Sequence, residues 1–378
     1  MQKKILILTA DAGFGHRHAA QAVEAALVEL HGGDCTVDIV NPIDDPVVPS
    51  FLKLVESDYD RVVIENPGLY LFSYYASDTP PMAHAMQDVV AVALHKTLTR
   101  LFADYHPDAV ISTYPAYTQG MIHVLRDQAS PAINAVVITD LINVHDLWFH
   151  REAGLTFATT RHVYAQALEQ GLTADRVYLS GLPVHPNIAR ETRTKSAIRE
   201  ALGWDPALPT VLLVGSARSR HTAITARLLD HSGLNLQLAV VSGGSTEVDE
   251  ELRAARWQGK AVHTYGLVKN LAEMMHAADF ILCKAGGMIV SEALACGLPL
   301  VLYEALPGQE AGNVRYVVES GAGTWAPEPI GALAAVYTWL VGEGGELETV
   351  QAAAKNAGRP RAAYEIAEQV YRHMQETV

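Results

Sequence analysis

Cysteine is almost missing from this 378-residue chain, which contains only Cys35, Cys283 and Cys296. Odd in number, far apart and without CxxC or paired-ligand spacing, they exclude a disulfide framework and a thiolate zinc centre, and they fit a reducing cytoplasm. Positive charge is also scarce. Twenty-eight Lys and Arg stand against 42 Asp and Glu, a net charge of −14 at pH 7 with His neutral. That field repels polyanions and excludes nucleic acid as a general partner. No stretch approaches the roughly 18 consecutive apolar residues of a membrane-spanning helix, so any membrane contact is peripheral. The opening lysines and the run Ile5 to Leu8 look superficially like a secretory leader. The run breaks at Asp11 with no cleavage-like site and reads as a buried first strand. Repeats of 20 to 50 residues and low-complexity tracts are absent as well.

What is present is apolar material. Hydrophobic residues make up 49% and charged residues 19% of the chain, enough for sizeable cores, and the length suggests two domains. Short continuous apolar runs alternate with helical stretches. Lys4 to Thr9, Val37 to Val40, Ala109 to Ser112, Ala135 to Ile138 and Val177 to Leu179 read as strands; His18 to Leu30, Met82 to Phe102 and Arg161 to Gln170 read as helices. A charged, polar stretch at about residues 184 to 206, with a helix-like piece at Lys195 to Leu202, reads as a linker. A second series follows with Thr210 to Val214, Gln237 to Val241, Ala261 to Tyr265, Phe280 to Cys283 and Leu300 to Leu302. Near-continuous apolar strands alternating with helices imply parallel sheets covered on both faces. The expected fold is α/β, with two Rossmann-like doubly wound domains facing across a cleft. The expected domains are 1–186 and 207–360, with 361–378 a C-terminal helix packing back on the first.

In doubly wound sheets ligands sit beyond the carboxyl ends of the strands, at helix N-termini, so the loops there carry the chemistry. The first strand runs into Asp11-Ala-Gly-Phe-Gly-His16, where Gly13 and Gly15 permit a tight turn and His16 opens a helix. An imidazole there can act as a general base or can merely cap the helix. A second loop, Thr139 to His150, concentrates Asp140, His145, Trp148 and His150 and reads as ligand-facing. His145 and His150 lack HExxH spacing and a third ligand, which argues against a metal site.

The strongest pattern is Phe280 to Pro299. A strand ends at Cys283, Gly286 and Gly287 allow close backbone approach, and a helix begins whose free amides and positive dipole end suit a diphosphate without a metal. Glu292, five residues beyond Gly287, can accept hydrogen bonds from ribose hydroxyls. The loop Leu306 to Asn313 offers Gln309, Glu310 and Asn313 to a polyhydroxylated ring, and each could equally cap a helix.

Together these stretches resemble the monogalactosyldiacylglycerol synthase and processive diacylglycerol glucosyltransferase group, relatives of the enzyme that adds N-acetylglucosamine to the peptidoglycan lipid precursor. The matching residues are Gly13-Phe-Gly-His16, Thr139-Asp-Leu141 with Trp148-Phe-His150, Gly181-Leu-Pro183 with Pro186, and Tyr265-Gly-Leu-Val268. They continue with Lys284-Ala-Gly286, Ser291-Glu-Ala293, and Pro307-Gly-Gln-Glu310 through Asn313 to Gly323.

The resemblance implies an inverting, metal-independent hexosyltransferase of the glycosyltransferase B type. A UDP-sugar would be its co-substrate, no cofactor would be needed, and a lipid such as diacylglycerol or a small molecule would be the acceptor. It implies catalysis by His16 with Asp140. Acceptor contacts would come from Gly13, Phe14, Gly15, His145, Trp148 and His150. On the donor side it implies uracil at Gly266, Leu267 and Val268, ribose at Glu292, and diphosphate at Ala285, Gly286, Gly287, Met288 and Ile289. Gly308, Gln309, Glu310 and Asn313 would take the sugar, with Gly215, Ser216, Arg218 and Gly243 completing the site.

Two departures stand out. The family's glycine-rich loop after the first strand of the second domain is here Gly215-Ser-Ala-Arg-Ser-Arg-His221, and Met288 and Ile289 replace a glycine and a threonine. Such changes are compatible with weaker donor binding, a different nucleotide sugar, or a non-catalytic relative. Pro67 to Tyr75 and Met82 to Leu101 offer apolar surface for a bilayer or for the core, and a cytoplasmic location with peripheral contact at the inner membrane face follows from the resemblance. A UDP-sugar 2-epimerase is the alternative on the same architecture.

Overall fold

The computed structural model describes residues 2–11, 15–50, 52–53, 80–142, 144–216, 219–259, 261–306, 308 and 310–376. The chain divides into two compact units, Met1–Pro186 with Arg361–Val378, and Asn187–Pro360. The first is built on six parallel strands: β1 (Lys3–Leu8), β2 (Cys35–Val40), β3 (Ala109–Ser112), β4 (Ile133–Val137), β5 (Leu155–Ala158) and β6 (Val177–Leu179). Their spatial order is β2-β1-β3-β4-β5-β6. Ile5 to Leu8 are wholly buried, because helices cover both sheet faces and an alternating polar residue would have no water to meet. Sequence reasoning missed β5, a four-residue strand.

The second unit repeats the plan with β7 (Thr210–Val214), β8 (Gln237–Val241), β9 (Val262–Tyr265), β10 (Phe280–Lys284), β11 (Leu300–Glu304) and β12 (Gly323–Trp325). The order is β12-β11-β10-β7-β8-β9, all parallel. Each sheet reverses its winding once, between β1 and β3 in the first and between β7 and β10 in the second. Those reversals open the crevices where open α/β sheets receive ligands.

Residues 187–206 are not a free linker. They form the helices Asn187–Arg190 and Lys195–Leu202 of the second unit. Arg199, 5% exposed, fixes them by donating to the carbonyls of Ala277, Pro206 and Leu208 and pairing with Asp279 at 2.7 Å. The final helix, Ala362–Glu376, buries Ala363, Ile366, Ala367 and Val370 at helical spacing and packs on the helix Gly15–His31. There the His31 and Tyr371 rings stack at 3.7 Å, and Tyr364 Oη donates to Glu29 at 2.9 Å.

The helix Pro80–Tyr105 has two faces. Ala83, Gln87, Ala91, Leu94, Leu98 and Phe102 are buried at steps of three and four, whereas Met82, Met86, Val89 and Val92 are exposed. The apolar run 67–75 lies outside the described residues. Among the described residues no helix is long and apolar enough to cross a membrane.

Candidate active site

The β1–β3 reversal holds His16. Its helix starts one residue earlier, at Gly15, and Arg17 in its first turn makes a two-pronged ion pair with Asp11. His16 Nδ1 lies 2.9 Å from the carbonyl of Thr113 at the end of β3 and 3.0 Å from Thr139 Oγ1 beyond β4. A carbonyl only accepts, so Nδ1 carries the proton and Nε2 is left as the basic nitrogen. Thr113 returns a bond from its hydroxyl to the His16 carbonyl at 3.1 Å, which locks helix start to strand end. Tyr114 packs edge-on against the imidazole at 5.0 Å between centroids, and Trp148 lies at 6.1 Å. This enclosure desolvates the ring and pulls its pKa down to about 4 against the small upward pull of the Thr113 bond. The imidazole is neutral at physiological pH.

The Thr139–His150 loop divides by burial rather than serving uniformly as a ligand surface. Asp140 Oδ2 accepts from Trp148 Nε1 at 2.8 Å, and the Asp140 carbonyl accepts from Thr159. Asp140 thus fixes the ring that flanks His16. Trp148 is 1% exposed and belongs to the core of the first unit, which corrects its reading as an acceptor contact. His145 is also buried, and its Nδ1 accepts from the Leu147 amide to cap a short turn; it too is structural. His150 accepts from the Glu152 amide and meets His123 edge-on at 6.0 Å. Gly13 and Phe14 lie outside the described residues. Thr113 and Tyr114 escaped sequence reasoning because they come from the end of another strand, and no local pattern announces them; Thr139, at the head of the loop already singled out, adds its hydroxyl to the imidazole.

The β7–β10 reversal holds the second group. The helix Gly287–Ala295 begins at Gly286, whose extended backbone caps it without a side-chain bond. The first-turn amides of Gly287, Met288 and Ile289 have no intrahelical acceptor, and they face outward at the positive end of the helix. The replacements at Met288 and Ile289 alter side chains and leave these amides in place. The Ala285 amide is tied to the Glu304 carbonyl at 2.8 Å. Gly215 and Gly243 let two loops touch: a Cβ on Gly243, at φ +68°, would lie 2.2 Å from the Gly215 carbonyl oxygen. Ser216 Oγ meets Ser219 Oγ at 3.0 Å. Arg218 and Gln309 lie outside the described residues.

Glu292 is half-buried along the same helix, and desolvation pushes its carboxyl up to about 7. Gly266 and Val268 flank Leu267, which is 81% exposed at the end of β9. The loop containing Gly308 departs from the sequence reading. Glu310 is 5% exposed and engaged by the Lys284 ammonium and, at 2.6 Å, by the Leu306 amide. Asn313 is 7% exposed and donates to the Ala285 carbonyl at 2.8 Å. Both brace the loops from within instead of presenting free groups to a sugar. Lys284, at the end of β10, pairs with Glu310, a contact the sequence did not disclose. Among the described residues no cluster of three His, Cys, Asp or Glu could hold a metal ion.

The signature of the monogalactosyldiacylglycerol (MGDG) synthase family matches residues 16–184, and that of glycosyl transferases group 1 matches residues 210–340. The chloroplastic monogalactosyldiacylglycerol synthase of Spinacia oleracea is 31% identical over 374 residues, covering 96% of this chain and 71% of that protein. A probable chloroplastic monogalactosyldiacylglycerol synthase of Glycine max is 32% identical over 375 residues, covering 96% and 70%. Among solved structures, the kitacinnamycin glycosyltransferase superposes with a TM-score of 0.64 at 13% identity, covering 99% of this chain and all 100% of the other. MurG of Acinetobacter baumannii gives 0.61 at 14%, covering 98% and 99%. A putative UDP-N-acetylglucosamine 2-epimerase of Listeria monocytogenes gives 0.63 at 13%, covering 100% and 98%. The two-domain fold of the glycosyltransferase B type is therefore common to transferases and epimerases and does not separate them. The sequence relatives, matched along 96% of this chain, do, and by them this chain belongs to the monogalactosyldiacylglycerol synthase family.

Proposed function

We propose that the protein transfers galactose or glucose from a UDP-sugar to a diacylglycerol-type lipid, with inversion at the anomeric carbon and without a metal ion, at the cytoplasmic face of a membrane. The observation that carries this reading is His16, held neutral at a sheet reversal with Nε2 unprotonated. In the proposed reaction Nε2 takes the proton of the acceptor hydroxyl as that oxygen bonds to the anomeric carbon and the bond to the diphosphate breaks. The amides of Gly287, Met288 and Ile289 stabilise the charge gathering on the departing UDP, a task otherwise given to a cation. Glu292 accepts from the ribose hydroxyls, and the backbone at Gly266 to Val268 receives the uracil.

Radiolabelled UDP-galactose and UDP-glucose, each supplied with diacylglycerol vesicles and EDTA, test the proposal. A β-linked glycolipid formed at a rate EDTA does not change is the expected result. Interconversion or hydrolysis of the nucleotide sugar with no lipid product would overturn it and favour an epimerase or a non-transferring relative.

The exposed line Met82, Met86, Val89 and Val92 suits a bilayer surface, with Lys96 exposed beyond it. A net charge of −14 opposes attraction to anionic lipid, so insertion of these side chains has to supply the binding. Replacing Met86, Val89 and Val92 together by Ser is expected to reduce vesicle co-sedimentation about tenfold or more, at roughly 0.8 kcal/mol per methylene withdrawn. Raising salt should weaken wild-type binding little. Unchanged sedimentation of the triple variant would remove this face from membrane contact.

A further inference from the structure

Glu304 ends β11, and its side chain crosses the end of β10 to reach the loop after β7. Its Cα pairs in register with Lys284, and its carbonyl holds the Ala285 amide. Its Oε1 accepts from the amides of Arg220 and His221 at 2.9 and 3.0 Å. Those two amides lead into the helix Thr222–Asp230, whose positive end attracts an anion. The carboxylate is 13% exposed, with Oε2 buried and lacking a hydrogen-bond partner among the described residues. His221 Nδ1 stands 3.2 Å from Oε1. Next to Glu304 on the same strand, Tyr303 Oη meets Thr222 Oγ1 at 3.1 Å, so β11 grips this helix start twice.

In a doubly wound sheet the loop after the first strand is the ordinary phosphate cradle. Here the amides of Arg220 and His221, at its end, already hold an internal anion. We propose that Glu304 is a specificity-determining residue that occupies the Arg220 and His221 amides with fixed negative charge and thereby weakens the hold on nucleoside diphosphate, favouring release of the UDP product. The inference rests on the donor reading given above. A diphosphate bound at Gly287 to Ile289 has only one helix end to itself. Glu304 is tied to the start of that site, its carbonyl holding the Ala285 amide while its carboxylate holds the amides of Arg220 and His221, and like charges in a partly buried setting repel with little screening.

The test compares uridine, UMP and UDP binding by calorimetry to the full chain and its variants. Glu304→Gln keeps an acceptor oxygen for both amides and removes the charge. UDP should then bind about tenfold tighter, UMP less so, with uridine unchanged and product inhibition by UDP strengthened in step. Glu304→Asp, which keeps the charge, should retain the wild-type ratio of UDP to uridine affinity. Should Glu304→Gln not fold, Glu304→Met applies the same charge test at similar length. A purely structural cap would shift all three ligands alike or none, and an unchanged UDP-to-uridine ratio in a folded neutral variant overturns the proposal. Absence of UDP binding by wild type, which Glu292→Ala would then leave unaltered, overturns the donor reading and this inference with it. Wild-type binding that depends on Glu292 but not on the charge at 304 sinks only the latter.

Discussion

His16→Ala is expected to lower kcat by about 10²- to 10⁴-fold while leaving UDP affinity within a factor of two, because the loss falls on proton transfer rather than on donor contacts. The Thr113 carbonyl fixes the proton on Nδ1, and only Nε2 can act as base. Burial holds the ring's pKa at about 4, so the imidazole is already deprotonated through the physiological range. The pH profile follows with a definite sign. The kcat/KM of wild type should be flat from pH 8 to about 5 as far as His16 is concerned, and should fall only near 4, well below the 6.5 of an ordinary histidine. So weak a base suffices because the acceptor hydroxyl becomes strongly acidic as its oxygen bonds to the anomeric carbon. The same shift bears on stability: the unfolded chain takes up this proton below pH 6.5 and the folded one resists it, so the contribution is full above 6.5 and is lost as pH falls toward 4. Retention of full activity by His16→Ala would remove the imidazole from the chemistry and leave it a structural link between the helix Gly15–His31 and β3.

The outline of the fold is readable because continuous apolar runs have few alternatives. Thr210 to Val214 and Gln237 to Val241 appear in the structure with the limits their composition predicts. The short strands Leu155–Ala158 and Gly323–Trp325 do not stand out, since three or four residues define no period and their pairing is decided by the neighbouring strand.

The site is legible in position and less so in role. Gly15 to His16 and Gly286 to Glu292 fall at strand ends beside the two sheet reversals, as loops of this kind should. Whether a polar side chain in such a loop faces a ligand or the interior depends on partners far along the chain. Trp148 reads as ligand-facing and is core, because Asp140 satisfies its indole N–H inside the protein. Glu310 and Asn313 read as sugar contacts and are braces, because Lys284 and the Ala285 carbonyl come within reach only after β10 and β11 pair. Glu304 carried no signal at all, since its partners Arg220 and His221 belong to the loop two strands away.

Glu292→Ala is expected to raise the donor KM and the UDP dissociation constant by about 10- to 100-fold, the loss of hydrogen bonds to a charged acceptor worth roughly 1.5–3 kcal/mol. The pH dependence is the sharper measurement. Burial raises the carboxyl to about 7 in the unliganded protein, so it is largely neutral below that pH. The ionised form is the stronger acceptor for two ribose hydroxyls, so binding through it expels the proton. UDP affinity should therefore climb about tenfold per pH unit below 7 and level off above about 8. Glu292→Gln should bind more weakly than wild type at pH 8 and show no such slope. Calorimetry of wild type at pH 6 should also register net proton release on binding, as an enthalpy that varies with the ionisation heat of the buffer. An affinity that stays level or rises on acidification would mean that the neutral carboxylic acid is the binding form, donating to a ribose oxygen instead of accepting from its hydroxyls.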